Sequence, residues 1–210
     1  GIEVLRLPFI RSTSLGHEVL HNWWGNGVYP DFGSGNWSEG LTTFMADYAY
    51  REREGGGAAA RLAWLRDYAS MPPGDDSALA RFTSRTHGAS QVVGYNKAAM
   101  VFFMLREAIG AAAFDEGVRR FWRAQRFRVA SWNDLRNAFE RASGRDLAAF
   151  FDQWLSRPGA PELRIANAAA VPTIDGWRLN VTLAQGAKAY ALSVPLAIRT
   201  LGGEITQRVE

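Results

Sequence analysis

His17-Glu18-Val19-Leu20-His21, followed by Glu39 after a spacer of seventeen residues, is the stretch that decides the fold of this 210-residue chain. On a helix, residues four apart lie on one face with their Cβ atoms about 5–6 Å apart. Imidazole nitrogens at that spacing can both reach one Zn²⁺ at roughly 2.0–2.1 Å. Glu18 lies about 100° further around the helix, where it can accept a proton from metal-bound water without binding the metal. The pattern predicts one zinc ion per chain, bound by His17 and His21, with Glu18 as general base.

Glu39 is the predicted third zinc ligand, because a catalytic zinc site uses three protein ligands. Asp31, in a Gly/Pro-rich loop, and Asp47, two turns further along the predicted Glu39 helix, are competing carboxylates. Glu39 also has a structural alternative, in which Asn36 caps the helix and Glu39 reaches back to it in a capping box. The two histidines can likewise be ordinary core or surface residues. A third histidine ligand of the metzincin type is excluded, since Trp24 stands where that motif needs glycine.

Several segments together resemble the signature of the zinc aminopeptidases related to aminopeptidase N and leukotriene hydrolase, a gluzincin family. The matching segments are His17–Asn26, Asn36–Tyr48, Gly94–Met100, Phe150–Trp154 and Pro158–Pro161. The resemblance covers most of residues 11–165. It implies a mainly α fold, with a zincin (thermolysin-like) catalytic helical region at residues 1–158 and a small antiparallel β-sandwich segment at residues 159–210.

The resemblance also implies a function, which is the removal of amino-terminal residues from peptide substrates. By its match to the family's tyrosine-x-lysine-glycine segment, Tyr95 is the expected oxyanion donor, and its alternative is an ordinary core tyrosine. Lys97 is expected to be a structural or surface charge. Thr43, one turn after Glu39, is a candidate partner for a ligand histidine.

Three departures from the family pattern bear on that expectation. The spacer before Glu39 is one residue shorter than the usual eighteen, and Ala98 replaces the glycine after the lysine. The family's glycine-x-methionine-glutamate-asparagine strand, which binds the amino terminus of the substrate, should precede the helix, but only sixteen residues stand before His17. We therefore expect an excised piece, lacking the amino-terminal part and truncated in its β segment, that is itself poorly active.

Hydrophobic periodicity divides the chain into a helical part and a strand-rich part. Helices are predicted at 12–24, 36–54, 58–70, 95–109, 112–127, 132–143 and 146–156. The alternating pattern after Pro161 predicts antiparallel strands at Glu162–Ile165, Trp177–Leu183, Tyr190–Ile198 and Ile205–Val209. The third histidine, His87, lies in a loop composition and is predicted to be a surface residue.

The composition and charge of the chain exclude or disfavour several other classes of protein. Hydrophobic residues make up 47% of the chain, enough for a sizeable core, and zero cysteines exclude thiolate ligands. No apolar run is long enough for a membrane span, and the start has no signal-peptide pattern. The net charge of +3 comes almost wholly from arginine, with a dense cluster between Arg119 and Arg128. Helical spacing of the interleaved aromatics favours a solvated helix face over nucleic-acid binding. Compartment, cytoplasmic or periplasmic, and oligomeric state stay open.

Two alternatives to an aminopeptidase remain at this point. One is another zinc hydrolase on the same scaffold, such as an epoxide hydrolase. The other is a non-catalytic interaction domain with a vestigial metal site. The presence of Glu18 argues against the latter, because a purely structural zinc ion does not need a base.

Overall fold

The computed structural model describes residues 12–209, which divide after Pro158 into a helical unit and a strand-rich unit. This confirms the mainly α class, with a small antiparallel β segment after the helices. Within residues 12–209, no helix is both long and apolar enough to cross a bilayer.

Nine α-helices and two π-helical turns form most of the first unit as far as the structure describes it. The α-helices are α1 (Ser12–Leu20), α2 (Ser38–Thr42), α3 (Ala49–Arg53), α4 (Gly57–Ala69), α5 (Gly88–Gln91), α6 (Ala98–Ile109), α7 (Ala111–Gln125), α8 (Trp132–Ser143) and α9 (Ala148–Ser156). One π turn, Thr43–Tyr48, joins α2 to α3, and the other, Val92–Lys97, joins α5 to α6. A 3₁₀ turn covers Leu79–Arg81.

Helix boundaries differ from the sequence prediction at several places, three of which lie near the candidate site residues. The first helix ends at Leu20 rather than at residue 24, although the His21 N–H still donates to the His17 carbonyl at 3.2 Å. The Glu39 helix begins at Ser38. The helix predicted from residue 95 begins seven residues earlier, at Gly88, because His87 caps it with its side chain. His87 is exposed, as predicted.

The core of this unit is aromatic. Its largest fully buried side chains are Trp37, Tyr48, Phe102, Phe121 and Phe139. On α7, the apolar residues at helical spacing are buried and the arginines lie on the exposed side, where three of them pair with Glu116. Helix α8 begins with a capping box between Ser131 and Asp134.

A short parallel pairing fixes the start of the Glu39 helix. Strand β1 (Tyr29–Pro30) pairs with β2 (Val129–Ala130). The indole N–H of Trp37 donates to the Ala130 carbonyl at 2.7 Å, and its side chain is fully buried. The residue two positions before Glu39 is therefore anchored in the core.

The second unit contains two antiparallel hairpins. Strand β3 (Leu163–Thr173) pairs with β4 (Gly176–Gln185), and β5 (Val194–Thr200) pairs with β6 (Gly203–Val209). The first strand ends eight residues later than predicted, at Thr173, and the third begins at Val194 instead of Tyr190. The packing of these hairpins into a sandwich stays a prediction.

Candidate metal centre

His17 on α1 and His21, the residue that directly follows α1, point their Nε2 atoms at one oxygen of Glu39. The distance from His17 Nε2 to Glu39 Oε2 is 3.4 Å, and that from His21 Nε2 to the same oxygen is 3.3 Å. One donor atom from each of the three residues lies within 4.8 Å of the other two. The end of α1 and the start of α2 thus bring together His17, His21 and Glu39, the three predicted ligands.

The other nitrogen of each imidazole is held by a different partner. His17 Nδ1 donates to Asp47 Oδ2 at 2.8 Å, and His21 Nδ1 donates to the Trp24 carbonyl at 2.8 Å. Gly25 follows with a φ of 122°, a conformation that lets the chain turn sharply after Trp24. A proton fixed on Nδ1 leaves Nε2 as the free lone pair of a neutral ring.

Asp47, not Thr43, is therefore the hydrogen-bond partner of a candidate ligand histidine. The Thr43 hydroxyl is buried and has no hydrogen-bond partner among the described residues. In an unbroken α-helix, eight residues turn through about 800°, so Asp47 would point roughly 80° away from Glu39. In the π turn Thr43–Tyr48, the wider i→i+5 turns rotate the chain through a smaller angle per residue than an α-helix does. As a result, Asp47 and Glu39 both contact His17.

The three side chains fit a zinc ion. Around a tetrahedral centre with metal–donor distances of roughly 2.0–2.1 Å, neighbouring donor atoms lie about 3.3–3.4 Å apart. The two separations from Glu39 Oε2, 3.4 Å and 3.3 Å, match that spacing. Two imidazoles and one carboxylate are also a ligand set of catalytic zinc sites, which keep one position open.

Glu39 lies between the histidines rather than in a capping box. The Asn36 side chain accepts hydrogen bonds from the Ser38 N–H at 3.0 Å and the Ser38 hydroxyl at 2.7 Å. At the N-cap position, Trp37 makes no side-chain capping bond. Ser38 therefore makes the side-chain bonds to Asn36 that the capping-box alternative would give to Glu39. The Glu39 carboxylate faces the imidazoles instead.

Electrostatics in the metal-free cluster couple the three groups. Burial lowers the pKa of His17, but hydrogen bonds to Asp47 and Glu39 outweigh burial and raise that pKa to about 9. The hydrogen bond to Glu39 is the largest cause that raises the pKa of His21. Burial raises the pKa of Glu39, but its bonds to both imidazoles outweigh burial and lower that pKa to about 2. The imidazoles and the carboxylate therefore favour each other's charged forms, and a metal ion would compete with protons for the imidazole nitrogens.

Tyr95 and Glu18 flank this cluster. Tyr95, in the second π turn, lies near enough to Glu39 to lower the pKa of that carboxylate, and its ring stacks on His17 with centroids 6.1 Å apart. Burial is the largest cause that raises the pKa of Tyr95, and the negative charges of Glu39 and Glu18 add to it. Glu18 is exposed on α1, and it is close enough for its negative charge to raise the pKa of the Tyr95 hydroxyl. Tyr95 is thus next to the candidate ligands and not within the aromatic core.

Lys97, two residues after Tyr95, is buried, with 6% of its side chain exposed. Its ammonium lies 3.7 Å from Asp76 and donates to the Arg157 carbonyl at 3.4 Å. Burial lowers the pKa of Lys97, and Asp76 opposes that shift. The structure therefore gives Lys97 the structural role, and not the surface role, of the two that the sequence analysis left open.

Comparison with known proteins assigns the chain to a family. The model of the peptidase family M1 domain matches residues 12–154. The chain belongs to peptidase family M1. The predicted relation to the family of zinc aminopeptidases is thereby confirmed.

Individual M1 relatives agree with the family. Aminopeptidase N of Haemophilus influenzae is 29% identical over 175 residues, which cover 80% of this chain and 20% of that protein. "Probable aminopeptidase 1" of Sulfurisphaera tokodaii is 26% identical over 206 residues, covering 91% of this chain and 25% of the relative. The structure of Legionella pneumophila aminopeptidase A, solved with aspartic acid, is 25% identical with a TM-score of 0.65 and covers 94% of this chain and 22% of that one.

The M1 match spans only part of these relatives. This chain covers about a fifth to a quarter of the length of the curated proteins that it matches. Zinc is expected for the family, and Glu39, His17 and His21 supply a donor set that fits it.

Proposed function

We propose that this chain carries the zinc centre of an enzyme that removes amino-terminal residues from peptides. His17, His21 and Glu39 hold one zinc ion. The observation that carries the proposal is the convergence of both Nε2 atoms on one Glu39 oxygen at 3.4 Å and 3.3 Å. The names of the M1 relatives, which are aminopeptidases, support the choice of reaction.

Glu18 is the general base of the proposed reaction. When bound, the metal supplies Lewis acidity, which polarises a carbonyl and lowers the pKa of a nearby water molecule. The Glu18 carboxylate accepts the proton of the attacking water and then gives it to the departing amine. Its place next to His17, on the exposed side of α1, suits this role because substrate has to approach from solvent.

Tyr95 donates a hydrogen bond to the oxyanion that develops on the scissile carbonyl. Its raised pKa keeps the hydroxyl protonated at neutral pH, so the group is a donor throughout the reaction. The stacking of its ring on His17 holds the hydroxyl next to the ligand cluster. Tyr95 is thus an electrostatic stabiliser and not a second base.

The test uses the naturally expressed protein, because this chain covers only about a fifth to a quarter of the length of its relatives. Glu18→Gln keeps the shape of the side chain and removes the base. Hydrolysis of an aminoacyl arylamide should fall by at least about 10²–10⁴-fold, with the zinc content unchanged. A parent protein that holds zinc but does not cleave aminoacyl arylamides would favour the non-catalytic alternative. Hydrolysis of an epoxide substrate by the parent protein, without cleavage of aminoacyl arylamides, would favour the alternative of another zinc hydrolase.

A further inference from the structure

Arg106 of α6 contacts both ends of the π turn that carries Asp47. Its guanidinium carbon lies 5.1 Å from the ring centroid of Phe44 and 5.9 Å from that of Tyr48. Phe44 is the second residue of the π turn and Tyr48 is the last. One cation therefore packs against the beginning and the end of this turn.

Glu52 links Arg106 to Tyr48 through hydrogen bonds. The Arg106 guanidinium donates from Nη1 to Glu52 Oε2 at 2.7 Å and from Nη2 to Glu52 Oε1 at 2.5 Å. Tyr48 is fully buried, and its hydroxyl donates to Glu52 Oε1 at 2.8 Å. A two-bond contact between guanidinium and carboxylate fixes orientation as well as distance. We call Tyr48, Glu52 and Arg106 the Arg106 clamp.

The π turn needs support of this kind. A π turn is rare and occurs mostly as a single turn within an α-helix. Thr42 and Thr43, at its start, have buried hydroxyls with no hydrogen-bond partner among the described residues. A return to regular α geometry would rotate Asp47 by about 80° relative to Glu39. The hydrogen bond of 2.8 Å between Asp47 and His17 therefore depends on the turn.

We propose that the Arg106 clamp is a positioning device for the metal centre. It holds Tyr48, the residue next to Asp47, and so keeps Asp47 on the Nδ1 atom of His17. Arg106 and Tyr48 are positioning residues that act through Asp47 and do not contact the ligand atoms. The inference rests on the proposed role of His17 as a zinc ligand.

The experiment measures the zinc dissociation constant of folded protein by competition with a chromophoric chelator. Arg106→Lys keeps the positive charge but loses the two-pronged bond to Glu52. Tyr48→Phe removes one hydroxyl and keeps the ring, so it preserves the packing. Loss of a group that directly orients a ligand weakens metal binding about 10–100-fold. Arg106 and Tyr48 act on the ligand through Asp47, so their loss should have a smaller effect. Arg106→Lys should weaken zinc binding about 5–20-fold, and Tyr48→Phe should weaken it by less.

A double-mutant cycle with Asp47→Asn separates positioning from general destabilisation. In the Asp47→Asn background, Arg106→Lys should lower the melting temperature by as much as it does in the parent protein. It should cause no further loss of zinc affinity. The matched control is Arg136→Lys, since Arg136 pairs with Glu140 on α8 at 3.7 Å. It should leave zinc affinity unchanged in both backgrounds.

Each other outcome has a distinct meaning. Unchanged zinc affinity in Arg106→Lys and Tyr48→Phe, with the parent binding zinc normally, overturns the clamp proposal and leaves the proposed function intact. Losses that add to that of Asp47→Asn also overturn it, because the clamp would then not act through Asp47. A parent protein that binds no zinc overturns the proposed function, and the clamp proposal with it.

Discussion

His17 and Asp47 are joined by a hydrogen bond of 2.8 Å between Nδ1 and Oδ2, although thirty positions separate them in sequence. The same imidazole turns its Nε2 atom to Glu39. One ring is therefore held between two carboxylates, one at each nitrogen. Asp47 fixes which nitrogen faces the candidate metal position, and Glu39 completes the donor set.

Replacement of that orienting carboxylate is the first prediction. Asp47→Asn keeps the shape of the side chain but removes its charge, so its hold on the Nδ1 proton weakens. Zinc affinity should fall about 10–100-fold, as measured by chelator competition. Asp115→Asn, on the exposed side of α7, is the control and should bind zinc like the parent. An Asp47→Asn protein with parental zinc affinity would show that His17 needs no partner at Nδ1.

Removal of the Tyr95 hydroxyl tests its role as an oxyanion donor. Tyr95→Phe should lower turnover of aminoacyl arylamides about 10²–10³-fold, the usual effect of losing one such donor, and should retain zinc. Tyr29→Phe, an exposed tyrosine, should turn over substrate at the parental rate. Near-normal turnover in Tyr95→Phe would mean that the ring only packs against His17.

The sequence contains the candidate ligands because zinc chemistry restricts residue types and spacing. His17 and His21 need only a helical turn to share a face, and Glu39 needs only to start the next helix. From the sequence, Asp47 is a competing carboxylate ligand and not the expected partner of His17. The reason is that an i,i+8 pair shares a face only when a π turn intervenes, and hydrophobic periodicity does not reveal that turn. The same assumption of a regular α-helix selected Thr43 instead.

Other differences from the sequence prediction also have physical causes. The helix of Tyr95 begins seven residues before its predicted start because the His87 ring caps it, and histidine is not among the usual capping residues. Lys97 is buried because Asp76 and the Arg157 carbonyl, distant in sequence, receive its ammonium. Contacts of this kind depend on tertiary structure and leave no periodic pattern.

Close packing of the Glu39 helix against α6 predicts a large cost for a small change. A Cβ atom added at Gly40 would lie 2.2 Å from the Cβ of Ala98. Gly40→Ala should therefore lower the free energy of unfolding by about 1–3 kcal/mol, as measured by urea denaturation. Gly88→Ala is the matched control, because nothing lies within 4 Å of the added Cβ. Equal stability of the two variants would contradict this packing.

The ion pair between Glu52 and Arg106 predicts a pH dependence. The hydrogen bond from Arg106 is the largest cause that lowers the pKa of Glu52 below its ordinary value of 4.5. A lowered pKa in the folded state gives stability that is present above pH 4.5 and is lost as the pH falls through the folded value. Glu52→Gln should thus be less stable than the parent at pH 7.

The size of that difference is limited by solvent. The Glu52 side chain is 37% exposed, so we expect at most about 1 kcal/mol at pH 7. Urea denaturation at pH 7 and at pH 3 should show the gap between Glu52→Gln and the parent narrowing in acid. A gap of constant size would mean that the Glu52 charge does not contribute.

Zinc content of the purified protein tests the central claim most directly. After loading with zinc and removal of the excess, elemental analysis should give about one equivalent per chain, the ratio for a single three-ligand site. His17→Ala, His21→Ala and Glu39→Ala should each lose most of that zinc. His87→Ala, which removes the exposed helix cap, should keep it. A Glu39→Ala protein that binds zinc as tightly as the parent, or a parent that binds none, would contradict the account.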